Sequence, residues 1–126
     1  MNNYNKNQVE NISNFHFSFL NLEEKNNVFK ITLNRPSKRN ALHPQMVNEI
    51  AFAMHYAHFK KSIWVVLFKA NGRVFCAGAD LKAMTGDVEP NDSTIPSPNK
   101  DILIGELFNK IYKNQEILLK LSLMPT

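Results

Sequence analysis

A chain of 126 residues is enough for one small domain that buries roughly two thirds of its unfolded surface, and a hydrophobic content of 44% fits a soluble globular protein. The net charge of +4, from fifteen basic and eleven acidic residues without a basic run, suits an anionic small molecule and gives little ground for nucleic-acid binding. The single cysteine excludes an internal disulfide and fits a reducing compartment, and no stretch reaches the ~18 apolar residues of a membrane span, so a cytoplasmic protein without a membrane partner is expected.

Residues 1–14 are polar, rich in Asn and lack the apolar stretch of a secretory signal; they predict a disordered lead-in. Phe15, Phe17 and Phe19 alternate with His16, Ser18 and Leu20, which predicts a half-buried strand over 15–20, with polar residues 23–27 as the following turn. Phe29, Ile31 and Leu33 alternate with Lys30 and Thr32, a second strand that pairs with the first and is stopped by Pro36. Arg35, Lys38 and Arg39 then put three cations in one short loop. Pro44 suits a first helical turn, and Met46, Val47, Ile50, Met54 and Ala57 recur at helical spacing, so residues 44–58 predict an amphipathic helix, with His43 a poor cap. The continuous apolar run 63–68 predicts a strand covered on both faces, and Asn71-Gly72 a turn. Residues 85–98, with Pro90, Pro96 and Pro98, read as a mobile loop. From Asp101, Ile104, Leu107, Phe108, Ile111 and Leu118 predict a last helix ending near Ser122. Two strands, helix, buried strand, turn and helix make an α/β or α+β layered pattern without a long-period repeat.

The stretch around which this pattern is organised is Arg73-Val74-Phe75-Cys76-Ala77-Gly78-Ala79-Asp80-Leu81-Lys82. A strand runs into it and a short helical turn leaves it at Asp80. Its small residues let a ligand approach the backbone, and bare N–H groups at a helix start favour an anion or a polarised oxygen. On the residues alone this is either an ordinary strand-to-helix turn or a cradle for a carbonyl oxygen that becomes negative. Gly72 and Gly78 do not fit the phosphate-loop spacing, and no dinucleotide fingerprint is present. His55 and His58 lie three apart without a further ligand pattern, so no metal site is expected. Cys76 reads as a small packing residue, Trp64 and the phenylalanines as core, and Glu49, Glu106 and Glu116 as solvated helix faces.

Phe75-Cys76-Ala77-Gly78-Ala79-Asp80-Leu81 resembles the signature turn of the enoyl-CoA hydratase/isomerase (crotonase) family. Ile31-Thr32-Leu33-Asn34-Arg35-Pro36, followed by Asn40-Ala41-Leu42, resembles the strand and loop before that family's first helix. Both blocks, in order and with a helix and a strand between them, make the resemblance specific; it covers about residues 15–126, apart from 85–100. It implies a truncated, N-terminal portion of the α/β crotonase-like ββα spiral, and for a full-length parent a homo-oligomer, a trimer or a pair of trimers. It also implies an acyl-CoA substrate, with coenzyme A entering as part of that substrate.

The family's thioester chemistry passes through an enolate-like oxyanion held by two backbone N–H groups, each able to contribute ~3 kcal/mol. The resemblance makes Ala79 the first of these donors. Lys38 and Arg39 match positions near the CoA nucleotide, where they would pair with phosphate, although a solvated loop explains them equally. Ala41, Ala77, Asp80 and Leu81 would line the adenine and pantetheine side, Asp80 doubling as a helix cap. The two glutamates of the family's hydratases and the second, glycine-borne donor are expected beyond Thr126, with 122–126 leading into the strand that would bring that glycine. Little or no hydratase activity is therefore expected of this polypeptide alone, and a silent module binding acyl-CoA or a partner chain is the alternative. Other reactions of the same fold, such as decarboxylation or dehalogenation, are not separated by these residues.

Overall fold

The computed structural model describes residues 4–98 and 118–125. Asn26 and Asn27 adopt φ of 53° and 67°, the left-handed pair that closes a two-residue hairpin, and asparagine tolerates it well. That turn joins β1 (Leu20–Lys25) to β2 (Val28–Leu33), antiparallel, with Leu20 opposite Leu33 and Lys25 opposite Val28. The first strand thus begins at Leu20, and Glu23, Glu24 and Lys25, expected in the turn, are ladder residues. The alternating phenylalanines before it belong to no strand because their partner is a helix. Phe15 and Phe17 meet Phe52 edge-on at 4.9 and 6.1 Å, and the N–H groups of Ser18 and Phe19 go to the Glu49 carboxylate.

That helix is α2 (Pro44–Phe59), with Pro44 in its first turn. His43 does cap it, since its Nδ1 accepts from the Gln45 N–H at 3.0 Å. The expected amphipathic surface is absent: burial is unbroken from Glu49 to Ala57. One side of α2 packs toward Phe29, Ile31, Leu33, Val66 and Phe68 of the sheet, and the remainder is covered from the N-terminal side. The lead-in is ordered from Tyr4, not the disordered stretch expected. Asn5 and Gln8 form a reciprocal capping box around α1 (Lys6–Val9), and Tyr4 and Val9 are buried in the core. Tyr4 stands edge-on to Phe52 at 5.1 Å and donates its hydroxyl to the Pro96 carbonyl at 2.7 Å.

Parallel pairing needs a crossover, and α2 supplies it between β2 and β3 (Val65–Ala70), where Val28 faces Val65 and Leu33 faces Ala70. On the far side β4 (Leu118–Pro125) runs parallel to β3, so the mixed sheet has the order β1-β2-β3-β4. Residues 118–122, expected as the end of a last helix, are therefore strand; a leucine-rich apolar run carries both readings. The rest of that predicted helix lies outside the described residues. Trp64, expected in the core, sits just before β3 with its N–H on the Asn27 carbonyl and remains 66% exposed.

Gly72, in the turn after β3, has φ +92°, and a Cβ built there would lie 3.0 Å from Pro36 Cβ. Strain and contact both oppose a side chain. Gly72→Ala is expected to lower stability by about 2 kcal/mol in urea denaturation; an unchanged midpoint would show that the Pro36 loop yields freely.

Candidate functional site

Arg39 and Asn40 both have φ of 55°, which turns the chain back after β2. Asn40 makes that conformation useful. Its fully buried side chain accepts from the Arg35 N–H at 2.8 Å and donates to the carbonyls of Asn71 and Val74 at 2.9 and 2.8 Å. The loop after β2 is thereby stapled to the segment that leads from β3 into the glycine turn. Asn40 was visible in the sequence as part of a motif, but its role as a staple was not.

The turn itself is held by three backbone bonds. Ala77 N–H donates to Arg39 O at 3.0 Å, Leu42 N–H to Gly78 O at 2.8 Å, and Asp80 N–H to Leu42 O at 3.3 Å. The last two make one parallel bridge between Leu42 and Ala79. In such a bridge the facing residue turns its own N–H and C=O away from its partner. Among the described residues no backbone carbonyl accepts the Ala79 N–H, and Ala79 is exposed. Gly78 has φ +100° and nothing within 4 Å of a built Cβ, so glycine is required there for conformation and not for space.

Asp80 caps α3 (Leu81–Met84), accepting from the N–H groups of Lys82 and Ala83 at 3.1 and 3.2 Å. A helix of four residues has little dipole, so the helix end adds less at Ala79 than the sequence suggested. Asp80 also pairs with Arg35, Nη1 to carboxylate, at 2.9 Å. Arg35 lies in the loop after β2 but is not solvated. It is 5% exposed, its Nη1 also donates to Ala41 O at 2.8 Å, its Nη2 pairs with Glu89 at 2.7 Å, and its guanidinium lies 5.6 Å from the centre of the Phe19 ring. Hydrogen bonding to Arg35 holds the Asp80 and Glu89 carboxyls below the usual range, helped at Asp80 by the capping amides.

These contacts frame a cleft of about 590 Å³. Arg35, Lys38 and Ala41 line it from the loop after β2, Ala79 to Lys82 from the turn, and residues 87–90 from the opposite lip. Five of the predicted site residues, Ala79, Lys38, Ala41, Asp80 and Leu81, meet there from two separate stretches of sequence. Arg39 and Ala77 do not line it; they are exposed and joined to each other by the Ala77 N–H bond. Leu81 and Val88, 75% and 47% exposed, give the cleft an apolar rim.

The 85–98 stretch is tied down at many points. His43 Nε2 lies 2.6 Å from Glu89 O, Gln45 Nε2 donates to Ile95 O at 2.7 Å, Thr94 and His16 exchange two bonds, and Ile95 is buried. These tethers reach it from distant residues, so its proline-rich composition alone suggested mobility. Glu49 likewise departs from the solvated face expected of it: it is fully buried, with its carboxylate 2.6 and 2.8 Å from the N–H groups of Ser18 and Phe19.

The family model for enoyl-CoA hydratase/isomerase matches residues 23–118, a span that holds both sequence blocks and the whole cleft. The 3-hydroxyisobutyryl-CoA hydrolase 1 of Arabidopsis thaliana is 37% identical over 67 residues, 53% of this chain and 18% of that protein. A probable enoyl-CoA hydratase of Mycobacterium leprae (strain TN) is 44% identical over 54 residues, 43% of this chain and 21% of that protein. The crystal structure of an enoyl-CoA hydratase/isomerase from Pseudoalteromonas atlantica T6c superposes with a TM-score of 0.63 at 27% identity, covering 82% of this chain and 38% of that one. The chain thus spans well under half the length of these relatives, between 18% and 38%. With its mixed α/β sheet and its glycine turn in the matched span, the chain belongs to the enoyl-CoA hydratase/isomerase family, of which it spans a part of the fold.

Proposed function

We propose that this chain takes an acyl-CoA thioester into the cleft and holds the thioester oxygen on the N–H of Ala79, as one half of an oxyanion hole. The observation that carries this reading is the Leu42–Ala79 bridge, which engages the Gly78 carbonyl on one side and the Asp80 N–H on the other and leaves the Ala79 N–H on the face away from Leu42, in a residue that lines the cleft. Lys38 on the wall and Arg39 just outside it would meet the CoA phosphates, Arg as a fork and Lys as a point charge. Ala41, Asp80 and Leu81, with the backbone of Ala77, would bound the adenine and pantetheine. Coenzyme A enters as part of the substrate. The parent activity would be hydration of a 2-enoyl-CoA or a shift of its double bond, by a cytoplasmic trimer or hexamer with neither nucleic acid nor membrane as partner.

Of the three carboxylates that line the cleft, Arg35 withdraws two from that chemistry, and the third, Asp87, stands exposed on the lip. Asp80 and Glu89 are both bound to Arg35, which keeps them ionised and engaged. This favours the second reading, a module that binds acyl-CoA without turning it over. Calorimetry with crotonoyl-CoA, together with a turnover assay on the 126-residue chain, tests both readings. Saturable binding with turnover near the uncatalysed rate is expected. Rapid turnover would show that an acid–base pair has been overlooked; no binding of crotonoyl-CoA or free CoA would remove the site.

A further inference from the structure

We propose that Arg35 is a positioning residue, a guanidinium clamp that sets the width of the cleft and the aim of the Ala79 N–H. This rests on the reading of Ala79 given above. One arm, Nη1, reaches both Ala41 O (2.8 Å) and the Asp80 carboxylate (2.9 Å). Ala41 precedes the residue that bridges Ala79, and Asp80 follows Ala79, so this arm holds the oxyanion turn on both sides. The other arm, Nη2, holds Glu89 of the opposite lip at 2.7 Å. That lip is secured further by His43 Nε2 on Glu89 O at 2.6 Å and by the Asp87 N–H on Lys82 O at 3.0 Å.

A buried ion pair is weak evidence for stability, because desolvation offsets the attraction. Here the desolvation is not even fully compensated: Arg35 Nε is buried without a partner among the described residues. What a planar fork does supply is fixed separation. It holds two carboxylates and a carbonyl in one geometry, which an ammonium on a flexible stem does not. The two arms are also separable, since the Glu89 side chain is 51% exposed and that of Asp80 15%.

The test follows the Ala79 amide directly in a chain labelled with ¹⁵N-alanine, titrated with butyryl-CoA and with S-butyl-CoA, a thioether that lacks the carbonyl oxygen. In the unaltered protein the Ala79 proton is expected to move downfield with the thioester and not with the thioether. If it moves with neither, the reading of Ala79 itself fails, and that failure is visible before any variant is made. Given the response, Arg35→Lys, which loosens the lip as Glu89→Gln does and the turn as well, is expected to weaken S-butyl-CoA about as much as Glu89→Gln while also losing more than about half of the Ala79 shift at saturation. Glu89→Gln, which frees only the lip, is expected to weaken both ligands alike and to keep the shift. A full Ala79 shift in Arg35→Lys overturns the proposal. Should Arg35→Lys not fold, Asp80→Asn decides, since asparagine still caps α3 but no longer holds the guanidinium by charge: a reduced shift supports the clamp and a full one overturns it.

Discussion

Asn40→Ala is expected to lower the folding free energy by about 3 kcal/mol and the melting temperature by roughly 10 °C. The side chain is fully buried and makes three hydrogen bonds to backbone groups, one in the loop after β2 and two in the segment that follows β3. Its removal leaves the buried Arg35 N–H without its acceptor and takes a donor from the carbonyls of Asn71 and Val74. A buried group that loses its partner costs about 1–3 kcal/mol, more than the net worth of the bond. The backbone adds to this, since φ of 55° is tolerated by asparagine and strained for alanine. Asn40→Gly separates the two causes: it relieves the strain and keeps the loss of bonds, so it is expected to recover about 1 kcal/mol relative to Asn40→Ala. Asn40→Asp keeps the acceptor for Arg35 but turns an oxygen toward two carbonyls, and is expected to be no better than alanine. Urea denaturation of the three variants measures all of this. An Asn40→Ala variant within about 1 kcal/mol of the parent would mean that water replaces the staple without cost.

What could be read from the residues divides along the range of the interactions. β2, α2 and β3 were legible because period-2 alternation, helical spacing and an apolar run are local patterns, and each was placed within about two residues. β1 differs from the expected strand because Phe15 and Phe17 alternate for a helix on one side, and only Phe19, whose carbonyl accepts from the Asn34 N–H, touches the ladder; Asn26-Asn27, a hairpin pair, is the better local signal. The site shows the same division. The two motif blocks pointed to Ala79, Asp80, Leu81, Lys38 and Ala41, which do share a cleft. The direction of the Ala79 N–H is set by Leu42, and the fate of the Arg35 charge by Asp80 and Glu89, all distant in sequence. Glu89 in particular sits in a proline-rich stretch that no periodicity describes.

Glu49 carries the second large effect, and its setting gives it a pH signature. Glu49→Ala is expected to lower stability by about 4 kcal/mol, because the N–H groups of Ser18 and Phe19 lose their only acceptor among the described residues and a cavity opens beside α2. Glu49→Gln keeps one acceptor of similar shape, cannot ionise, and so isolates the charge. Burial pushes the Glu49 carboxyl up; bonds from Ser93 and from the amides of Ser18 and Phe19, with the nearby His16, pull it back without cancelling the shift. A folded-state value above the unfolded one means that the native protein holds this proton more tightly. The stability it contributes is complete below the ordinary carboxylate value and is lost as pH rises through the higher folded value. Asp80 and Glu89, held low by Arg35, work in the opposite sense, losing their contribution as the solution is acidified below the ordinary carboxylate range. They are common to the parent and to Glu49→Gln, so they cancel in the difference. Denaturation of both proteins across mildly acidic pH is therefore expected to show the parent gaining on Glu49→Gln as pH falls toward the ordinary carboxylate value. A difference that is flat, or that grows toward neutral pH in favour of the parent, would mean that the two amides hold Glu49 ionised against its burial, and the carboxylate would then be a charged anchor of the β1 entry.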